Sequence, residues 1–202
     1  MKVMPDWMRP MGRPWEELSS RTAFENPWLR LTEHEARAPT GSPAAYAVVG
    51  FKNLAIGVLP VHQDGTIVMV GQHRFPCRDY SWEIPEGGEP VGGDPLGGAK
   101  RELREEAGLE ASEWREVIRF QLSNSVTDER GFGFLATGLT QAETDPDHTE
   151  DLQLARVPFR NALELALGGA FPDMITIAML LRAYHMAREG ELPRALARAM
   201  LG

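Results

Sequence analysis

At 202 residues the chain is sized for one domain with an appended arm or helix, and its 43% hydrophobic content supports a sizeable core. A formal charge of −8 argues against electrostatic binding to nucleic acid or anionic lipid, so an anionic substrate would need bound metal or locally placed arginines. The single cysteine, Cys77, excludes an intrachain disulfide and suits a reducing cytoplasm, and neither a signal peptide nor a stretch near the ~18 apolar residues of a membrane span is expected.

Residues 1 to 20 contain Pro5, Pro10 and Pro14 with Trp7 and Trp15, which predicts a loose arm whose tryptophans dock on something apolar. From Thr22 the chain reads as short strands. Asn26 to Glu35 alternates apolar with polar, and Pro39 to Pro43 breaks it. Tyr46 to Phe51 is apolar and β-branched, and Leu54 to Val61 follows a turn at Lys52-Asn53. Asp64-Gly65 is a hairpin signal leading into Thr66 to Val70, which continues to Gln72-His73-Arg74. Residues 75 to 93 are turn-rich, with Ser81 to Ile84 a short strand before a glycine-rich turn, Pro85-Glu86-Gly87-Gly88.

Asp94 to Leu109 carries its own start and stop. Asp94 is an N-cap, Pro95 takes the first helical position, and Gly108 supplies the left-handed residue that ends a helix. Leu96, Ala99, Leu103 and Ala107 fall on one apolar stripe, while Glu102, Glu105 and Glu106 lie three and four positions apart on another face. Either that face is solvated and paired with Arg101 and Arg104, or its carboxylates hold Mg²⁺ or Mn²⁺, which prefer oxygen ligands.

Trp114 to Leu122 and Phe132 to Ala136 read as strands around a polar loop, Ser123 to Arg130. Residues 141 to 151 are acidic and turn-like, and Leu152 to Val157 is a further strand. Helices are predicted over Phe159 to Leu167, Pro172 to Arg188 and, more weakly, Glu191 to Leu201. Strands flanking these helices suggest an α/β sandwich around a mixed sheet.

Arg101-Glu102-Leu103-Arg104-Glu105-Glu106-Ala107-Gly108-Leu109, with Gly87 upstream, resembles the Nudix box, G-x5-E-x7-R-E-U-x-E-E-x-G-U, where U is a bulky aliphatic residue. Gly93 stands where the box has its first Glu. Leu59-Pro60-Val61, Gln72-His73-Arg74, Trp82-Glu83-Ile84-Pro85, Thr127-Asp128-Glu129 and Phe134 to Thr137 extend the resemblance toward the ADP-ribose and nucleoside-diphosphate-sugar pyrophosphatase branch. The implied fold is the Nudix α/β/α sandwich with an N-terminal strand arm. The implied organisation is an arm and strands over 1–45 that pair two subunits in a homodimer, a hydrolase domain over 46–190, and a helical tail over 191–202.

By the same resemblance, Glu102, Glu105, Glu106 and the carbonyl of Glu86 are the metal ligands. Mg²⁺ or Mn²⁺ would neutralise the diphosphate of a nucleotide sugar and generate a nucleophile from water. Glu129 on the polar loop is the expected catalytic base, with Glu105 also in the catalytic set, and Arg74 binds phosphate or developing charge. Trp28, Phe51 and Trp82 are candidates to stack on the base. Arg101 orients a neighbouring glutamate. Two other readings stand beside this one: a non-catalytic sensing domain, marked by Gly93, and a house-cleaning hydrolase of nucleoside triphosphates. The five histidines show no zinc spacing, and no G-x-S-x-G elbow, P-loop or G-x-G-x-x-G occurs.

Overall fold

A computed structural model describes residues 5–143 and 151–202, so much of the acidic segment predicted over 141–151 lies outside the described residues. The chain divides into two compact units. One comprises residues up to Lys52 with Ser123–Asp128, the other Asn53–Leu122 with Glu129–Gly202.

The first unit holds a short 3-10 turn (Asp6–Met8) and an antiparallel sheet of β1 (Glu16–Glu25), β2 (Leu29–Arg37) and β3 (Pro43–Phe51), in that order. Residues 16 to 20, expected in a loose arm, are therefore strand. β1 carries no apolar period of its own and is held by its ladder to β2, from Glu16↔Arg37 to Glu25↔Arg30. The Asn26 side chain sets the hairpin, accepting from Trp28 N at 2.9 Å and Leu29 N at 2.8 Å. Every residue of β1 is exposed, Leu18 and Phe24 included.

Ser123–Asp128 is tied to β3 of this unit. Val49 N donates to the Val126 carbonyl at 2.9 Å, and the Asp128 carboxylate accepts from Phe51 N at 3.0 Å. Trp15 packs edge to face on Tyr46. At the β1–β2 turn Glu25 meets Arg30 at 3.0 Å and Lys52 at 2.8 Å, and these cations lower its pKa to about 2.

The second unit is a three-layer α/β/α sandwich around two sheets. One sheet runs β7 (Glu86–Pro90), β4 (Asn53–Pro60), β9 (Gly131–Gln141), β8 (Leu109–Phe120); it is mixed, because β4 and β9 are parallel. The other runs β10 (Gln153–Pro158), β5 (Thr66–Arg74), β6 (Asp79–Glu83) and is antiparallel. Side-chain alternation splits the core. Leu54, Ile56 and Val58 of β4 pack with Ala99, Leu103 and Ala107 of α1 (Pro95–Ala107). Leu59, Val61, Ile67 and Met69 pack instead with α2 (Phe159–Leu167), α3 (Met174–Arg188) and α4 (Arg194–Leu201). The C-terminal helix is part of that core, burying Ala197 and Met200.

Two further expectations are corrected. The glycine-rich segment at 86–90 is not a turn but strand β7, the edge of its sheet, paired with β4 from Gly57↔Glu86 to Asn53↔Pro90. Its glycines answer to what α1 lays against it rather than to chain reversal. And β8 begins at Leu109, directly after the helix cap, rather than at Trp114. The left-handed Gly108 (φ 61) both ends α1, donating to the Arg104 and Leu103 carbonyls, and turns the chain into the sheet.

Candidate active site

Helix α1 forms where its sequence signals put it. The Asp94 carboxylate accepts from Leu96 N and Gly97 N, both at 3.1 Å, and Pro95 follows. The apolar stripe on β4 fixes the rotation of the helix, and that rotation carries Glu102 and Glu106 against edge strand β7. An edge strand presents alternate backbone N–H groups without ladder partners. The helix carboxylates take them: Glu106 Oε2 accepts from Glu86 N at 2.9 Å, and Glu102 Oε1 from Gly88 N at 3.1 Å. Both glutamates are buried, at 4% and 7% exposure. Gly87 lies between them, and a Cβ there would stand 2.0 Å from the Glu102 carboxyl carbon. Any side chain there would displace the Glu102 carboxylate.

Glu105 points elsewhere. It is partly exposed and pairs with Arg101 Nη1 at 2.8 Å, while Arg101 Nη2 reaches Glu102 Oε1 at 2.8 Å and donates to the Gly88 carbonyl at 2.5 Å. One guanidinium thus ties two glutamates to the strand. Burial raises the Glu102 pKa, opposed chiefly by Arg101.

Arg74, at the end of β5, is engaged by Glu83 across the hairpin to β6. Its Nε lies 3.0 Å from Glu83 Oε2 and 3.2 Å from Oε1, and Nη2 also donates to Oε2. Burial would lower the Arg74 pKa, but the carboxylates of Glu83, Glu86 and Glu106 hold it above its ordinary value. Arg74 therefore sits in the field of Glu106 on α1 and of Glu86 on β7. The Glu86 side chain belongs to a second acidic group. Burial, then the charge and hydrogen bond of Asp173, then Glu83, raise its pKa well above the carboxylate range. Thr176 Oγ1 accepts from Ile84 N at 3.0 Å and donates to Glu86 at 3.4 Å.

Trp82 is half-buried, packs edge to face on Tyr80, and borders an apolar hollow of about 300 Å³ with Met69, Val157, Leu165 and Phe171. Glu129 is half-buried at the start of the second unit's C-terminal portion, next to Arg130, whose carbonyl accepts from Ala55 N. Trp28 and Phe51 belong to the first unit, Trp28 exposed and Phe51 half-buried. Within the second unit, then, Glu106 and Glu102 meet the β7 backbone at Glu86 and Gly88, Arg74 lies in the field of Glu106, and Glu105 is tied to Glu102 through Arg101. Glu83, quoted in the sequence only within the Trp82-Glu83-Ile84-Pro85 string, joins them through Arg74, Asp173 through Glu86 and Glu89 through Arg101. Glu83 could have been found from its period-2 offset to Ser81 on a short strand, and Asp173 from its place as the α3 cap.

Among the described residues no group of three or more His, Cys, Asp or Glu side chains is arranged to cage a metal ion. The donor chemistry nonetheless fits a hard divalent cation. Glu83, Glu102 and Glu106 are buried carboxylates, Glu86 is held above its ordinary pKa by burial and then by acidic neighbours, and Arg74 and Arg101 are the cations paired with this group. Added positive charge would relieve that excess.

Comparison with known proteins places the chain. The NUDIX domain family matches residues 52–175, and the nucleoside diphosphate sugar hydrolase N-terminal domain matches residues 15–49. The chain belongs to the Nudix hydrolase family, whose members generally use divalent metal. Its relatives there include an ADP-ribose pyrophosphatase of Mycobacterium tuberculosis, 31% identical over 189 residues that cover 90% of this chain and 89% of the relative. A methanol dehydrogenase activator of Bacillus methanolicus is 31% identical over 162 residues, covering 79% and 84%. The fold matches that of a crystal structure of an ADP compounds hydrolase, at a TM-score of 0.80 and 16% identity over 91% of this chain and 100% of that one. Among the described residues no helix is long and apolar enough to cross a membrane.

Proposed function

We propose that the protein hydrolyses the diphosphate bond of a nucleoside diphosphate linked to a sugar, ADP-ribose or a nucleoside-diphosphate hexose, giving a nucleoside monophosphate and a sugar phosphate. The observation that carries this reading is the pinning of two buried α1 carboxylates to the backbone of edge strand β7, beside Arg74. The relative in Mycobacterium tuberculosis supports ADP-ribose as the first substrate to test.

Glu102, Glu105 and Glu106 are assigned as ligands of Mg²⁺ or Mn²⁺, with the Glu86 carbonyl. In an extended strand the N–H and C=O of one residue face the same edge, so the N–H that reaches Glu106 supports a carbonyl on that side. Bound metal neutralises diphosphate charge and lowers the pKa of water. Arg74 is assigned to a phosphate oxygen. Its contacts to Glu83 use Nε and Nη2, and a guanidinium carries five N–H donors, so the two roles are compatible. Glu129 is assigned as the general base that takes the proton of the attacking water. Trp82, beside its apolar hollow in the second unit, is the candidate to stack on the base.

Substrate identity is tested by incubating ADP-ribose, GDP-mannose, ADP-glucose and dGTP with Mg²⁺ and resolving the products. AMP and ribose 5-phosphate from ADP-ribose is the expected outcome, and turnover of dGTP alone would overturn it. Robust turnover of any diphosphate sugar also disposes of the sensor reading.

The N-terminal unit is assigned to dimerisation. A three-stranded sheet whose first strand buries nothing, with Leu18, Phe24 and Trp28 exposed, has apolar area for a second copy to cover. Two-fold dimers are the commonest closed assembly. Light scattering should report twice the 22.4 kDa chain mass at micromolar concentration; the monomer mass would refute the assignment.

A further inference from the structure

The Nudix box places a glutamate where this chain has Gly93, and the structure holds a different carboxylate there. A Cβ at Gly93 would lie 2.1 Å from Oε1 of Glu89 and 3.0 Å from its Cδ. From the other side, a Cβ at Gly98 would lie 2.9 Å from Glu89 Cβ and 3.0 Å from its Oε2. The Glu89 side chain thus runs in a slot between two glycines, over the first turn of α1. Neither glycine has the left-handed φ that favours glycine, so these positions require space rather than an unusual backbone. Gly98 is also inside a helix, where alanine would be the better helix former by about 1 kcal/mol. What the glycine provides instead is room for Glu89.

Glu89 does not behave as a surface charge. Its side chain is only 18% exposed, and its Oε2 stands 3.9 Å from Arg101 Nη2, the same nitrogen that meets Glu102 and the Gly88 carbonyl. Arg101 is the cation that pairs with this half-buried carboxylate. We infer that Glu89 supplies from strand β7 the carboxylate that the box otherwise carries at position 93. It is a positioning residue that holds Arg101, and through Arg101 it orients Glu102 and Glu105. The inference rests on the hydrolase reading for its catalytic consequence, but not for its structural one.

The test uses full-length Glu89→Gln, Glu89→Ala, Gly93→Glu, and the doubles Glu89→Ala/Gly93→Glu and Glu89→Ala/Gly93→Gln. Three quantities are measured: binding of Mn²⁺ alone, the melting temperature without metal, and kcat and KM on ADP-ribose. Glu89→Gln and Glu89→Ala should each weaken Mn²⁺ binding and lower kcat by about 10–100-fold, as expected for groups that orient metal ligands, with KM within a few-fold. Gly93→Glu alone should also be impaired, because its Cβ would displace the Glu89 carboxylate. Glu89→Ala/Gly93→Glu should recover to within a few-fold of wild type, since the vacated slot takes the new carboxylate. Glu89→Ala/Gly93→Gln should not. Wild-type behaviour of Glu89→Gln, or equal rescue by Gln and Glu at position 93, would overturn the inference and leave Glu89 a packing residue. If wild type hydrolyses none of the sugars, the hydrolase reading fails. The Mn²⁺ affinities and melting temperatures still decide the role of Glu89.

Discussion

Gly87→Ala puts a single methyl group into the center of the site. The new Cβ would stand 2.0 Å from the Glu102 carboxyl carbon and 2.1 and 2.2 Å from its oxygens, so Glu102 must move. Moving it breaks the 3.1 Å bond from Gly88 N and the 2.8 Å pair with Arg101. A buried N–H left without its acceptor costs about 1–3 kcal/mol, and overpacking a similar amount. Gly88 is only half-buried and Glu102 is a flexible side chain, so both costs fall near their lower ends and the expected loss is about 2–3 kcal/mol. In a chain of this length that lowers the melting temperature by about 4–12 °C. Activity should fall more than stability suggests, by about 10–100-fold in kcat, because an assigned metal ligand is displaced. Gly88→Ala is the control. Its Cβ would meet the Asn53 side chain at 3.0 Å or more, the amide nitrogen first and Cβ at 3.3 Å, contacts that a shift of a few tenths of an ångström relieves, so the loss there should stay below about 1 kcal/mol. Calorimetry on both variants, with kcat titrated against Mg²⁺, makes the comparison. Equal melting temperatures for the two, with wild-type kcat in Gly87→Ala, would refute the packing argument and the placement of Glu102.

Glu106→Gln should lower kcat at least about a hundredfold, equivalent to 2.7 kcal/mol, while the amide oxygen still accepts from Glu86 N and keeps the fold. Near-normal kcat at saturating Mg²⁺ would reassign the ligand set. Glu129→Gln should lower kcat by about 10² to 10⁴-fold with substrate affinity within a few-fold, because a base acts on water in the transition state. Unchanged turnover would move the base to Glu102 or Glu105. Chelation by EDTA should abolish turnover and Mg²⁺ or Mn²⁺ restore it; full activity in metal-free buffer would sink the metal-assisted mechanism. Glu86→Gln should stabilise the metal-free protein at neutral pH. The folded-state pKa of Glu86 is raised above 4.5, so the folded protein loses stability as pH rises from that value toward the folded pKa. The gain should therefore shrink toward pH 4 in melting curves, and a pH-independent difference would contradict it.

The start, stop and buried stripe of α1 are legible in the chain because each depends on residues within a few positions. Asp94 caps its own first turn, Gly108 ends the helix locally, and Leu103 and Ala107 share a face by helical period alone. The box string reads equally well for the same reason. What the glutamates touch is set elsewhere. Glu102 meets Gly88 and Glu106 meets Glu86 because β7 pairs with β4 and the stripe of α1 locks onto that sheet. The glycines of β7 read as a turn because a turn and a close helix–strand approach both require the absence of a side chain, and only packing tells them apart. Arg74 and Glu83 meet through the register of β5 on β6, and Glu86 meets Asp173 across a separation no local pattern spans. Gly93 was visible as a departure from the box. That Glu89 occupies its place is decided by the tertiary fold, since it takes a strand, a loop glycine and a helix glycine to build that slot.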